Sequence, residues 1–126
     1  MTTRADAVDV FDRRVRAWLA EDVDAYLACW HDDMTIRLPG RDEPLGGIAR
    51  YRKLVEGSFA WARPVSFDVH ALAVVGDLVL AEWTIRAQRR EDGVTIEWSG
   101  MSTCEVCDGR ITWWREYHRR PPAPVV

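Results

Sequence analysis

Near its end the chain reads DGRITWWREYHRR, Asp108 to Arg120, and a carboxylate stands there two residues from a tryptophan and two from a histidine. In an extended strand alternate side chains share a face, so Trp114, Glu116 and His118 point one way while Trp113, Arg115 and Tyr117 point the other. A carboxyl group among aromatic rings is poorly solvated, a setting that suits it to taking and giving protons. His118, on the same face, is placed to share that proton or to orient the carboxylate.

Such a group needs a hollow in front of it, and the rest of the chain must build one. The first half reads as helices. Thr3 and Asp6 form a capping box, after which Val8, Phe11, Val15, Trp18 and Leu19 recur at steps of three and four. Asp22 caps a second helix with the stripe Val23, Tyr26, Leu27 and Trp30, which the run His31-Asp32-Asp33 ends. A short strand, Met34 to Leu38, leads into a polar loop through Pro44. After Gly46-Gly47 a third helix sets Ile48, Tyr51, Val55 and Phe59 in register and closes before Arg63-Pro64.

From Pro64 the period changes to two. Gly76-Asp77, Asp92-Gly93 and Asp108-Gly109 supply the positive φ that tight hairpin turns require, so the runs 65–75, 78–90, 94–107 and 110–118 should pair as an antiparallel meander. Its middle strands exceed the usual five or six residues, which implies bulges and strong curvature. The expected architecture is α+β: three N-terminal helices packed on a strongly curved antiparallel sheet. One domain over 1–118 and a flexible Pro-rich tail at 119–126 complete the reading.

Composition narrows the partners. A net charge of −3 over 126 residues lacks the basic footprint that nucleic acid demands. The longest apolar run, Ala71 to Val75, is too short for a membrane span, and the acidic N-terminus has no secretory core, so a cytoplasmic location is expected. Cys104 and Cys107 form C-x-x-C, but with no second ligand pair and on an expected strand they read, with Cys29, as reduced small hydrophobes. His31 and His70 have no matching ligand spacing, and neither a metal nor any other cofactor is expected.

Four stretches, in order, resemble the SnoaL-like branch of the nuclear transport factor 2-like superfamily: AEDVDAYLACWHDDMTI (Ala20 to Ile36), PLGGIARY (Pro44 to Tyr51), VVGDLVLAEW (Val74 to Trp83) and SGMSTCEVCDGRITWWREY (Ser99 to Tyr117). The resemblance implies a cone-shaped α+β fold that hosts isomerases, epoxide hydrolases, polyketide cyclases and binding proteins, so activity rests on the pocket. Ketosteroid isomerases of this fold carry acids and a tyrosine where this chain has Leu38, Ser102 and Arg14. Limonene epoxide hydrolases resemble the terminal Trp114-Arg115-Glu116-Tyr117, yet the arginine and aspartate of their water-activating triad fall at Trp83 and Ile85. Polyketide cyclases of the SnoaL type need one acid/base beside an apolar cavity, and Glu116 occupies the last-strand position where such members often carry an acid.

The expected site is therefore Glu116 with His118, in a pocket formed by Trp114, Trp98, Trp83, Ile85, Ser102, Arg14, Trp18 and Tyr51. The ligand expected there is a hydrophobic carbonyl or terpenoid molecule, undergoing cyclisation, isomerisation or dehydration. Two alternatives stand beside this one: a pocket that binds without turnover, and a dimer whose hollow is filled by tryptophan. Trp113, Arg115 and Tyr117 face outward, and the resemblance implies a homodimer through that outer sheet face.

Overall fold

The computed structural model describes residues 2–118, so the tail expected at 119–126 lies outside the described residues. Helix α1 (Arg4–Leu19) starts at a reciprocal cap: the Asp6 N–H donates to the Thr3 hydroxyl at 3.1 Å, and the Thr3 N–H donates to the Asp6 carboxylate at 3.2 Å. Its buried stripe is Ala7, Val10, Phe11, Arg14 and Ala17. One cation thus sits in an otherwise apolar face. Helix α2 (Val23–Leu27) is capped by Asp22, whose side chain accepts from the Ala25 N–H at 3.0 Å. It is shorter than the sequence pattern implies, because Trp30 opens strand β1 (Trp30–Arg37) and draws His31, Asp32 and Asp33 into it. Trp30 is buried in either arrangement, so apolar spacing alone does not separate them.

Strand β2 (Leu45–Gly46) pairs antiparallel with β1, and α3 (Ile48–Trp61) follows Gly47. At Gly47 φ is 87°, a value that residues with a Cβ rarely adopt. Of the four inward positions that the spacing predicts, α3 buries Tyr51, Val55 and Phe59, and Ile48 is partly buried against the core. The remaining chain is the meander β3 (Ala62–Val75), β4 (Leu78–Arg89), β5 (Thr95–Cys107) and β6 (Arg110–His118). Gly76, Gly93, Asp108 and Gly109 all have positive φ at its turns, as hairpin geometry demands.

Two expectations need correction. The helices are not all N-terminal to the sheet, since α3 comes after β1 and β2. Nor is the sheet antiparallel throughout: in the order β2-β1-β6-β5-β4-β3, β1 runs parallel to β6, with Ile36 beside Trp114 and Arg37 beside Arg115. That pairing makes β6 an interior strand, supported on both edges. Register slips between Pro64 and Ser66, Val69 and Ala71, and Glu105 and Val106 mark bulges, which sharpen local twist.

Alternation sends Val79, Ala81, Trp83 and Ile85 of β4 and Ser102, Cys104 and Val106 of β5 into the core, while on β6 the register slip beside Glu105 and Val106 turns both Ile111 and Trp114 inward. Aromatic rings occupy much of this space. Trp114 lies 5.6 Å from Phe11 and 5.8 Å from Trp30 between ring centroids, and Phe67 lies 5.8 Å from Trp83. Gly100 has no room for a side chain, because a Cβ there would stand 2.5 Å from the Tyr117 carbonyl oxygen, 2.7 Å from the His118 Cβ and 2.8 Å from the Trp83 ring. A glycine at this point lets β4, β5 and β6 bring Trp83 and His118 together.

Candidate functional site

Between the helices and the sheet lies a cavity of about 490 Å³. Trp18, Ile36, Leu38, Leu54, Val55 and Phe59 give it an apolar wall, which the polar side chains Arg14, Tyr26, Tyr51, Lys53, Ser58 and Glu116 interrupt. The helices contribute the donors, Arg14 from α1, Tyr26 from α2 and Tyr51, Lys53 and Ser58 from α3, while the sheet contributes the carboxylate.

Glu116 is fixed at both oxygens. The Trp114 Nε1–H donates to Oε1 at 3.1 Å, and His118 Nε2 stands 3.2 Å from Oε2. The two side chains are only 12% (Glu116) and 18% (His118) exposed. Strand alternation makes this possible, since Trp114, Glu116 and His118 occupy one face of β6. Behind His118 the Trp83 ring packs edge-on at 6.2 Å, in the space that Gly100 leaves.

Arg14 is 6% exposed and lies within an aromatic box, its Cζ 4.3 Å from the Trp114 ring centroid, 5.1 Å from Phe67 and 5.4 Å from Tyr26. Its Nε has no hydrogen-bond partner, and no carboxylate of the described residues stands within ion-pair distance. Burial disfavours its charge, but Tyr26, Tyr51 and Glu116 nearby outweigh burial and hold its pKa above the ordinary value. The Tyr26 and Tyr51 hydroxyls meet at 2.9 Å, and burial pushes the Tyr51 phenol well above its ordinary pKa, so it stays a neutral donor.

Of the residues expected in the site, Glu116, Arg14, Trp18 and Tyr51 line this cavity. Trp114 lies directly beneath, touching both Arg14 and Glu116 without lining it. His118 reaches the cavity only through Glu116, and its other side borders a shallow groove with Thr84, Ser99 and Tyr117. Trp83, Ser102, Ile85 and Trp98 are not among the lining residues. Trp83 is fully buried with its Nε1–H donating to the Ser102 hydroxyl at 2.6 Å, Ile85 is buried, and Trp98 packs half-buried against the core. These four fill the hollow instead of facing its open part. The sequence reading missed Tyr26 as a site residue by treating it as helix packing. The available signal was its hydroxyl, a polar tip on an otherwise apolar stripe.

Among the described residues no group of three His, Cys, Asp or Glu side chains is placed to hold a metal ion, and no helix is long and apolar enough to cross a membrane.

Residues 11–114 match the family model of the SnoaL-like domain. The chain belongs to the SnoaL-like domain family. Solved structures place it in the fold shared by that family's relatives. An LEH-like epoxide hydrolase of M. tuberculosis superposes with a TM-score of 0.78 at 24% identity, over 91% of this chain and 84% of that one. A proposed isomerase of Bacillus subtilis gives 0.82 at 20% identity, over 94% and 90%. A proposed polyketide cyclase of Xanthomonas campestris gives 0.77 at 21% identity, over 94% and 93%. No curated protein matches the sequence. At these identities the similarity establishes the fold, and activity has to be argued from the cavity.

Proposed function

We propose that this SnoaL-like protein binds a flat hydrophobic carbonyl compound in the cavity of about 490 Å³ and moves a proton on it through Glu116. One observation carries the reading: a carboxylate on the wall of an apolar cavity, held at one oxygen by an indole N–H and at the other by an imidazole. A held carboxylate loses little entropy on reaching its transition-state position, which is what positioned acid/base catalysis needs. In the reaction, the C–H bond beside the carbonyl breaks and its proton goes to a Glu116 oxygen. The electron pair left behind spreads onto the carbonyl oxygen. Return of the proton to another carbon isomerises the molecule, and attack of the enolate carbon on a second carbonyl closes a ring, the π pair of that carbonyl becoming an alkoxide that takes the proton back from Glu116.

Epoxide hydrolysis is disfavoured, because Trp83 and Ile85 occupy the positions of a water-polarising pair and both are buried apolar side chains. The sheet's outer face, where Met101 and Tyr117 are exposed direct cross-strand partners, is the proposed contact between two copies of the chain.

The test is deuterium uptake by 2-tetralone, an enolisable bicyclic ketone, in D2O. The wild type should exchange the α-protons well above the buffer rate, and Glu116→Gln should lower that by roughly 100-fold or more. Exchange equal in the two proteins removes Glu116 from the chemistry. Binding of 2-tetralone without exchange leaves a ligand-binding module.

A further inference from the structure

Arg14 is a buried cation with no carboxylate of the described residues at ion-pair distance. A guanidinium removed from water costs free energy unless an anion or strong acceptors compensate. Here the compensation is partial: aromatic faces of Trp114, Phe67 and Tyr26 surround Cζ, the Tyr26 side chain and Glu116 favour the charge, and Nε remains without a partner. The neighbouring hydroxyls add to the surplus of donors. In the Tyr26–Tyr51 pair one O–H donates to the other oxygen, so the second O–H is left to donate elsewhere. All three groups line the same cavity as Glu116. A space walled by Trp18, Leu54 and Phe59 that also offers a cation and a free hydroxyl fits an apolar framework ending in a negatively charged oxygen.

We infer that Arg14, with the Tyr26–Tyr51 hydroxyl pair beside it, is an oxyanion-binding site, and that the ligand is a flat apolar molecule carrying a delocalised anionic oxygen. The inference rests on the reading of the cavity as a ligand site and names the chemistry that site selects. Glu116 and Arg14 then act on one molecule. When Glu116 takes a proton from carbon, negative charge develops on the oxygen that Arg14 and the tyrosine pair receive, where fixed donors need no reorganisation. A ligand that is already an oxyanion in its ground state binds there for the same reason.

Calorimetric titration with 2-naphthoate and with the neutral isostere 2-naphthamide at pH 7.5 tests this. The wild type should bind 2-naphthoate at least about tenfold more tightly, and Arg14→Met should bring the ratio close to one. Glu116→Gln, which removes the like charge, should strengthen 2-naphthoate several-fold relative to 2-naphthamide. That arm decides the matter if circular dichroism shows Arg14→Met to be unfolded. Equal affinity of the two probes for the wild type, a preference that survives Arg14→Met in a folded protein, or no response of 2-naphthoate to Glu116→Gln each overturns the oxyanion site while leaving the cavity a binding site. Failure of both probes to bind overturns the cavity reading and this inference with it.

Discussion

His118 Nε2 stands 3.2 Å from Glu116 Oε2, and both residues lie on the same face of β6. Because the histidine touches the carboxylate and does not line the cavity, it acts on a ligand only through Glu116. His118 is therefore a positioning residue. Its removal should lower kcat for 2-tetralone exchange by about tenfold in His118→Ala while KM changes little. His118→Gln, whose amide can still donate to the carboxylate, should recover part of the loss. An equal loss in both variants, or an effect confined to KM, contradicts the positioning role.

Gly100 sets that contact up from the neighbouring strand. A Cβ at residue 100 would meet the Tyr117 carbonyl at 2.5 Å, and a backbone oxygen in a paired strand cannot swing aside as a flexible side chain could. Gly100→Ala should therefore destabilise the fold by about 1–3 kcal/mol, the usual range for overpacking, as read from urea denaturation. It should also impair exchange more than stability alone explains, because the strain falls on His118. A variant with wild-type stability would show that the strands part freely there.

The meander was legible in the sequence because its information is local. Gly76-Asp77, Asp92-Gly93 and Asp108-Gly109 mark the turns, and the run 110–118 coincides with β6. The facing of Trp114, Glu116 and His118 followed from alternation alone, and the caps at Thr3 and Asp22 from residue type at the helix starts. The pairing of β1 with β6 was not legible, since residues such as Thr35 and Trp113 meet with no turn between them to announce it. For the same reason Trp30 was read into a helix. Within the site, the large inward residues Trp83 and Trp98 looked like cavity walls, but whether an indole lines a space or fills it depends on its neighbours in three dimensions.

The Trp83–Ser102 pair illustrates the difference and can be tested. Both residues are fully buried, and the indole N–H has the Ser102 hydroxyl as its partner at 2.6 Å. Ser102→Ala strands that donor, with an expected cost of about 1–3 kcal/mol in unfolding free energy. Affinity for 2-naphthamide should be unchanged, since neither residue lines the cavity. A weakened affinity with intact stability would instead make Ser102 part of the binding wall.

On the outer face of the sheet, Met101 is 43% and Tyr117 57% exposed, and they are paired directly across β5 and β6. Arg115 stacks over Trp113 further along the same face, its Cζ 5.9 Å from the ring centroid. Light scattering coupled to gel filtration should find a dimer for the wild type. The double variant Met101→Glu with Tyr117→Glu should run as a monomer with an unchanged circular dichroism spectrum, because facing copies would bring added carboxylates together. A monomeric wild type removes this interface.

Alkaline pH should loosen the fold through groups that burial keeps protonated, chiefly Cys104 and Tyr51 with the Cys29 thiol raised in the same sense. Burial pushes the Cys104 thiol from 9.0 up to about 12, and it raises the Tyr51 phenol well above 10.0. Both folded values exceed the unfolded ones, so below pH 9 neither state loses a proton and the contribution is intact. Between pH 9 and about 12 the unfolded chain releases the Cys104 proton while the folded protein keeps it, and stability falls as pH rises. Tyr51 adds to the slope above pH 10. Urea midpoints measured from pH 8 to 11 should decline, and Cys104→Ala should flatten the decline even though its stability at pH 8 is lower. Alkylation at pH 8 followed by mass spectrometry should label the exposed Cys107 and spare the buried Cys29 and Cys104 until urea is added. Prompt labelling of Cys104, or a slope that Cys104→Ala leaves untouched, would mean that this thiol is open to solvent beside Trp114, its direct partner on β6.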